Sequence, residues 1–302
     1  MRANIRGMGA LEGKVAVVTG AGRGIGRGEA LLLAAEGAAV VVNDVDPGPV
    51  EQVAKEIEDL GGKAIVQLAD VADWNEAQTL IASAVDTFGD LHILVNNAGF
   101  LRDKMSFNMD EESFDAVIRV HLKGHFAPSR WAAAYWRDKA KGGQETAGRI
   151  INTSSEAGLW GNPGQSNYGA AKGGIYSMTL VLARELRRYG VTANAIAPRA
   201  RTRMTESLGG SFDPSQRPTD AFDTLDPDNV APVVGWLASD AAAGVSGQVF
   251  LVTGGRVHLI AALEEASGIR KDQRWTVDEL ITAQAELFAN RASTIPPFSV
   301  AE

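Results

Sequence analysis

The chain has 302 residues, 45% hydrophobic and 22% charged, with a net charge of −8 and no cysteine. The length suits one large α/β domain or two small ones. The missing cysteines exclude disulfides, cysteine-ligated zinc, iron–sulfur clusters and thiol catalysis. The acidic balance argues against a nucleic-acid partner, which calls for a basic surface. No stretch of about 20 apolar residues is free of charges or breakers, so no membrane span is expected. Residues 1–10 carry two arginines but no apolar run of signal-peptide length. A cytoplasmic protein is the simplest expectation.

Apolar runs of strand length alternate with helical segments along most of the chain. Lys14–Thr19 reads as a first strand, followed by a glycine-rich turn and a helix over Gly24–Gly37. Ala38–Asp44 is a second strand and Pro49–Leu60 an amphipathic helix; Lys63–Leu68 is a third strand, with a helix over Asp73–Phe88. His92–Asn96 follows as a strand, then one long helix over Asp110–Arg137. Arg149–Thr153 and Val191–Ala197 are further strands, separated by a helix over Ser166–Tyr189, and Gln248–Val252 is a seventh.

Continuous apolar strands without alternation are the mark of a parallel sheet covered by helices on both faces. The expected fold is therefore a Rossmann-type doubly wound α/β sheet of about seven strands. Residues 11–255 form one domain, with no linker or internal repeat to divide them. Residues 199–230 follow the sixth strand, at the sheet end where ligands bind, and are placed to cover a site. Met204, Leu208, Phe212 and Phe222 would line a greasy substrate or anchor that cover. Residues 256–302 form a C-terminal extension. Thr276 and Glu279 there would make a capping box, and apolar residues at 277, 280, 281 and 287–288 suit a docked or intersubunit helix.

The first turn reads Thr19-Gly20-Ala21-Gly22-Arg23-Gly24-Ile25-Gly26. Glycines there let backbone approach a pyrophosphate, and the helix that follows offers N–H donors. The second strand ends in Asp44, 18 residues past Gly26. A carboxylate at that place accepts from both ribose hydroxyls and repels a 2′-phosphate, which favours NAD over NADP. Arg23 argues the other way, because a cation in this turn can reach a 2′-phosphate.

Tyr168 and Lys172 lie four apart on one helix face. An ammonium beside a phenol stabilises phenolate, so Tyr168 can act as general acid/base with Lys172 tuning it. Tyr135 and Lys139 repeat the spacing and read as a structural decoy, because only Tyr168 has a serine, Ser155, 13 residues before it. The hydroxyl of Ser155 would bind a substrate oxygen. His121 and His125 are also four apart, but no third ligand accompanies them and no metal site is expected. Arg199, Arg201 and Arg203 alternate after the sixth strand. They could meet substrate phosphates or carboxylates, or form salt bridges within the cover.

Together, Thr19–Gly26, Asp70-Val71, Asn96-Asn97-Ala98-Gly99, Ser155, Tyr168/Lys172 and Asn194–Pro198 resemble the short-chain dehydrogenase/reductase family, over roughly residues 11–255. The resemblance implies that Ser155, Tyr168 and Lys172 are catalytic and that Asp70 and Val71 flank an adenine. It also implies that Asn97, Ala98, Gly99 and Pro198 border the cofactor, and that the chain forms a homotetramer. One position departs from the pattern. Where the family usually has an asparagine that holds a water in a proton relay, this chain has His121 in Val120-His121-Leu122. An imidazole can serve the same relay or simply pack. That segment, with Phe100-Leu101-Arg102-Asp103 and Gly161–Tyr168, is similar to the (3R)-hydroxyacyl-CoA dehydrogenases of multifunctional enzyme type 2. The expected substrate is thus a small-molecule alcohol, most specifically a 3-hydroxyacyl-CoA. A free hydroxysteroid or other secondary alcohol is the alternative, an acyl-carrier-protein ketoreductase a third, and a non-enzymatic NAD-binding scaffold or redox sensor the fourth.

Overall fold

Short valine- and isoleucine-rich runs build the sheet in a computed structural model that describes residues 9–206, 210–219, 221–289, 291, 295 and 298. The strands are β1 (Val15–Val18), β2 (Ala39–Asp44), β3 (Lys63–Leu68), β4 (Ile93–Asn96), β5 (Arg149–Thr153), β6 (Thr192–Arg199), β7 (Val249–Thr253) and β8 (Arg256–Ile260). Their order is β3-β2-β1-β4-β5-β6-β7-β8. All pairings are parallel except the last, in which β8 returns antiparallel along β7. This eighth strand lies in the segment read from sequence as an extension. The Gly254-Gly255 pair between two β-rich runs is a hairpin signal, and Gly254 has the positive φ, 54°, that such a turn requires.

Helices cover both faces, which explains the unbroken apolar strands. On one side α1 (Gly24–Ala35), α2 (Pro47–Asp59) and α9 (Ala231–Ala238) pack on Ala16, Val18, Val40, Val42, Ile93 and Val95. On the other, α3 (Trp74–Phe88), α5 (Gly124–Lys141) and α7 (Ser166–Leu186) pack on the alternate residues Val15, Val17, Val41, Leu94 and Ile150. The single helix expected over Asp110–Arg137 is divided. It comprises α4 (Glu111–Ile118), a π-helical turn over Arg119–Lys123, and α5, which runs on to Lys141. Two short helices, α6 (Glu156–Trp160) and α8 (Arg203–Glu206), follow β5 and β6.

The strand order reverses direction between β1 and β4. At such a point the crossovers leave to opposite faces and open a crevice at the carboxyl ends of the strands. The chain divides into two units, Met1–Ile260 and Ala261–Glu302. The second holds α10 (Val277–Phe288), whose N-terminus has both halves of the Thr276/Glu279 capping box. Its Val277, Leu280, Ile281 and Leu287 are exposed. Among the described residues no helix is long and apolar enough to cross a membrane.

Candidate active site

A cavity of about 520 Å³ fills the crevice. Its lining includes Gly20, Arg23, Gly24, Ile25, Asp44, Asp70, Val71, Asn97, Ala98, Gly99, His121, Tyr168, Lys172 and Pro198, each anticipated from sequence. The glycine turn is built for close approach. A Cβ on Gly26 would stand 2.4 Å from the Gly20 carbonyl oxygen and 2.5 Å from Asn97 Nδ2, so the helix can start tight against the turn only as glycine. Asn97 Nδ2 bridges the carbonyls of Thr19 and Gly20 at 3.0 Å each. Thr19 itself is fully buried and does not line the cavity. Its hydroxyl accepts from the backbone N–H groups of Asn97 and Ala98, at 3.0 and 3.2 Å, and fastens the ends of β1 and β4 together.

Asp44 stands at the end of β2 with Oδ2 accepting from Gly22 N–H at 3.1 Å and Oδ1 from Val45 N–H at 2.8 Å. Arg23 is paired with Asp46, at 2.9 Å. A dinucleotide fits these residues: bare backbone at the turn, a carboxylate at the end of β2 and a cavity that also includes Tyr168. Asn43, Asp46, Phe100, Thr153, Ser154, Ala200 and Thr202 also line the cavity and were not anticipated there.

Ser155, Tyr168 and Lys172 converge because α6 packs on α7. A Cβ on Gly158 would come within 2.5 Å of the Lys172 backbone, so glycine lets the two helices touch. Ser155 caps α6, its hydroxyl accepting from Ala157 N–H at 3.2 Å, and its side chain acts on the Tyr168 phenol, favouring the phenolate. Asn167 fixes the start of α7: Nδ2 donates to the carbonyls of Arg102 and Ser113, and Oδ1 accepts from Tyr168 N–H. Lys172 Nζ donates to the Thr153 carbonyl at 2.5 Å and lies 5.5 Å from the Tyr168 ring centre. Burial pushes the Tyr168 phenol up to about 12, opposed by the Ser155 hydrogen bond and reinforced by the Asp103 carboxylate. Burial also pushes the Lys172 ammonium down to about 7. Both charged forms are disfavoured for one reason, desolvation.

The π-helical turn delivers His121 to this cluster. Its ring meets the Tyr168 ring edge-on, and Nε2 lies 2.7 Å from the Phe100 carbonyl oxygen. A Cβ on Gly99 would fall 2.0 Å from His121 Cε1, so the imidazole rests directly on that glycine. Burial holds the ring at about 3, well below the usual imidazole range.

A family model described as short chain dehydrogenase matches residues 14–210. The chain belongs to this family. It is an NAD(P)-linked oxidoreductase acting on hydroxyl and keto groups. Hydroxyacyl-CoA dehydrogenase ChsB1 of Mycobacterium tuberculosis is 49% identical over 289 residues, 93% of this chain and 90% of that protein. Peroxisomal multifunctional enzyme type 2 of Mus musculus is 39% identical over 239 residues, 76% of this chain but 30% of the larger enzyme. The crystal structure of a short chain dehydrogenase from Mycobacterium avium has a TM-score of 0.87 at 47% identity, covering 97% of this chain and 100% of that one.

Other features of this short-chain dehydrogenase sort into structural and site roles. Tyr135 and Lys139 both bind Asp90, the tyrosine hydroxyl donating to Oδ1 at 2.8 Å. Asp90 precedes β4, so this look-alike pair sits at the opposite end of the sheet from the cavity. Two of the three alternating arginines are engaged in ion pairs: Arg199 with Glu156 at 3.1 Å, and Arg201 with Asp223 at 2.6 Å. Arg203 begins α8, which ends the extended alternation, and lines the cavity with Thr202, Met204 and Thr205. Phe222 is exposed, and Leu208 lies outside the described residues.

Proposed function

We propose that this dehydrogenase oxidises the hydroxyl of a 3-hydroxyacyl-CoA with NAD. The observation that carries the chemistry is that Tyr168 and Lys172 line one cavity with Asp44, with Ser155 just behind Tyr168 and outside the lining. The thioester class rests on the likeness to hydroxyacyl-CoA dehydrogenase ChsB1 across nearly the whole chain. NAD is favoured because Asp44 would oppose a 2′-phosphate while Asp46 occupies Arg23, the cation that would welcome one.

In this reading the turn from Gly20 to Ile25 holds the pyrophosphate and Asp44 the adenosine ribose. Ser155 and Tyr168 hold the substrate oxygen. The phenolate of Tyr168 takes the hydroxyl proton as the C–H electron pair leaves with its hydrogen and a carbonyl forms. The nicotinamide, when bound, supplies the hydride acceptor. Lys172 sets a positive charge beside the phenolate, and His121 passes the proton onward. The protein's own work is to orient the oxygen and to move one proton.

An NAD-reduction screen tests the reading, with 3-hydroxyacyl-CoA thioesters of varied bulk set against free hydroxysteroids and the acyl-carrier-protein thioester. Turnover of the CoA thioesters, faster with NAD than NADP, is expected. A preference for the free steroid or the carrier-protein thioester overturns the substrate, and a preference for NADP overturns the cofactor.

A further inference from the structure

His125 is a buried titratable group that the proposed chemistry leaves unused. It lies in the first turn of α5, four residues past His121, with none of its surface exposed. Neither ring nitrogen has a hydrogen-bond partner among the described residues. The carbonyls of His121 and Thr153 face the ring and favour its charged form, yet neither closes a hydrogen bond of acceptable geometry. Lys172, from α7, and His121, from the preceding turn, are the charged or titratable groups that act on it. From β5 it meets Thr153.

Thr153 is shared between the two groups, because its carbonyl also accepts the Lys172 ammonium. The Thr153 hydroxyl oxygen and His121 Nδ1 are likewise buried and unpartnered. Four buried polar atoms on three residues, two of which act on His125 and one of which also accepts from Lys172, are therefore without a partner among the described residues. An unsatisfied buried polar atom is costly to the fold. Internal water with two to four polar partners is the usual remedy. A neutral imidazole offers one donor and one acceptor, while Lys172 has three N–H groups, one of which Thr153 takes.

We propose that His125 is a positioning residue for Lys172: with Thr153 and His121 it holds an internal water against the ammonium and keeps that lysine charged. The proposal rests on the reading of Lys172 as the cationic partner of Tyr168. It explains how a lysine whose charge burial disfavours can still serve there. The ring lies one helical turn after the position where the family usually has its asparagine, and it does not line the cavity.

The test compares His125→Leu with His125→Asn in the full chain, using a secondary alcohol or thioester that the unmodified enzyme turns over. The readouts are the pH profile of kcat/KM for oxidation, NADH affinity and melting temperature. In the leucine variant the alkaline limb should move to lower pH by at least about one unit, roughly a tenfold loss on that limb. NADH affinity should hold within about twofold. Asparagine, which keeps a donor and an acceptor, should restore the profile. A folded leucine variant with the unmodified profile overturns the proposal. If that variant does not fold, a high-resolution crystal structure of the unmodified enzyme decides. Water bonded to a His125 nitrogen supports the proposal, and a dry ring or one bonded directly to protein overturns it. Lys172→Met separates the two readings: full activity there defeats the role given to Lys172, whereas an unshifted His125→Leu profile defeats only the role given to His125.

Discussion

The imidazole of His121 stands perpendicular to the ring of Tyr168, with centroids 5.1 Å apart and planes at 89°. Its Nε2 is 2.7 Å from the carbonyl oxygen of Phe100 and 3.0 Å from the Phe100 backbone nitrogen. One nitrogen cannot donate and accept at once. Each neutral tautomer therefore finds a partner on Phe100: Nε2–H gives to the carbonyl, or bare Nε2 accepts the N–H. Exchanging the two moves the proton between the ring nitrogens without charging the ring. Because burial holds the group at about 3, the ring stays neutral at any working pH.

His121→Asn should accordingly keep most activity, since the amide offers a donor and an acceptor. His121→Leu should lose about ten- to a hundredfold in kcat, in the range of one proton-transfer contribution. Neither limb of the unmodified enzyme's pH profile should report a histidine titrating between pH 5 and 8. Steady-state rates across pH check both points, and a leucine variant as fast as the unmodified enzyme would sink the relay.

Tyr168→Phe should abolish turnover, by about a thousandfold or more, while NADH still binds. The ring remains to pack on His121; only the phenol hydroxyl is lost. Fluorescence titration with NADH, set beside single-turnover rates, separates binding from chemistry. Substantial residual turnover would contradict a tyrosine mechanism.

Much of this site was legible because its chemistry falls where strands end. Gly20 closes one apolar run and Asp44 closes the next, so both positions could be read from hydropathy and turn chemistry alone. The π-helical turn was not legible, because an extra residue inserted into a helix leaves no composition signal; the sequence over 110–137 reads as one helix. Its consequence is local but decisive: His121 and His125 both face inward. The partners of Arg199 and Arg201 were hidden for a different reason. Glu156 and Asp223 lie 43 and 22 residues away in sequence, and only tertiary packing brings them together. The β7–β8 hairpin is readable from Gly254-Gly255, but Arg256 and His258 interrupt the apolar run that marks the other strands.

Asp44→Ala combined with Val45→Arg should move preference from NAD towards NADP. The first change removes the carboxylate that a 2′-phosphate must face, and the second adds a cation beside it. Adding Asp46→Ala should extend the shift, since it releases Arg23 from its 2.9 Å ion pair. The ratio of kcat/KM for the two cofactors is the measurement. The double variant should change it by about a hundredfold, a difference of roughly 3 kcal/mol. An unchanged ratio would show that Asp44 does not read the ribose.

Glu29 gives a prediction about stability rather than catalysis. It lies on the inward face of α1, fully buried, and neither carboxyl oxygen has a hydrogen-bond partner among the described residues. Burial raises its pKa from 4.5 to about 8. Below about pH 4.5 the folded and unfolded chains both carry the proton, and the group costs the fold nothing extra. Between about pH 4.5 and 8 the unfolded chain releases the proton while the folded chain keeps it, so this contribution to stability declines as pH rises. Above about pH 8 both states are ionised and the full penalty remains, on the order of several kcal/mol. Glu29→Gln, near-isosteric and uncharged, should therefore melt close to the unmodified protein at pH 4.5. It should melt progressively higher than it at pH 6, 7 and 8, with a final gap on the order of 10 °C. Calorimetry or thermal circular dichroism on the two proteins across that range gives the answer, and a gap that does not grow with pH would mean that Glu29 is not held protonated.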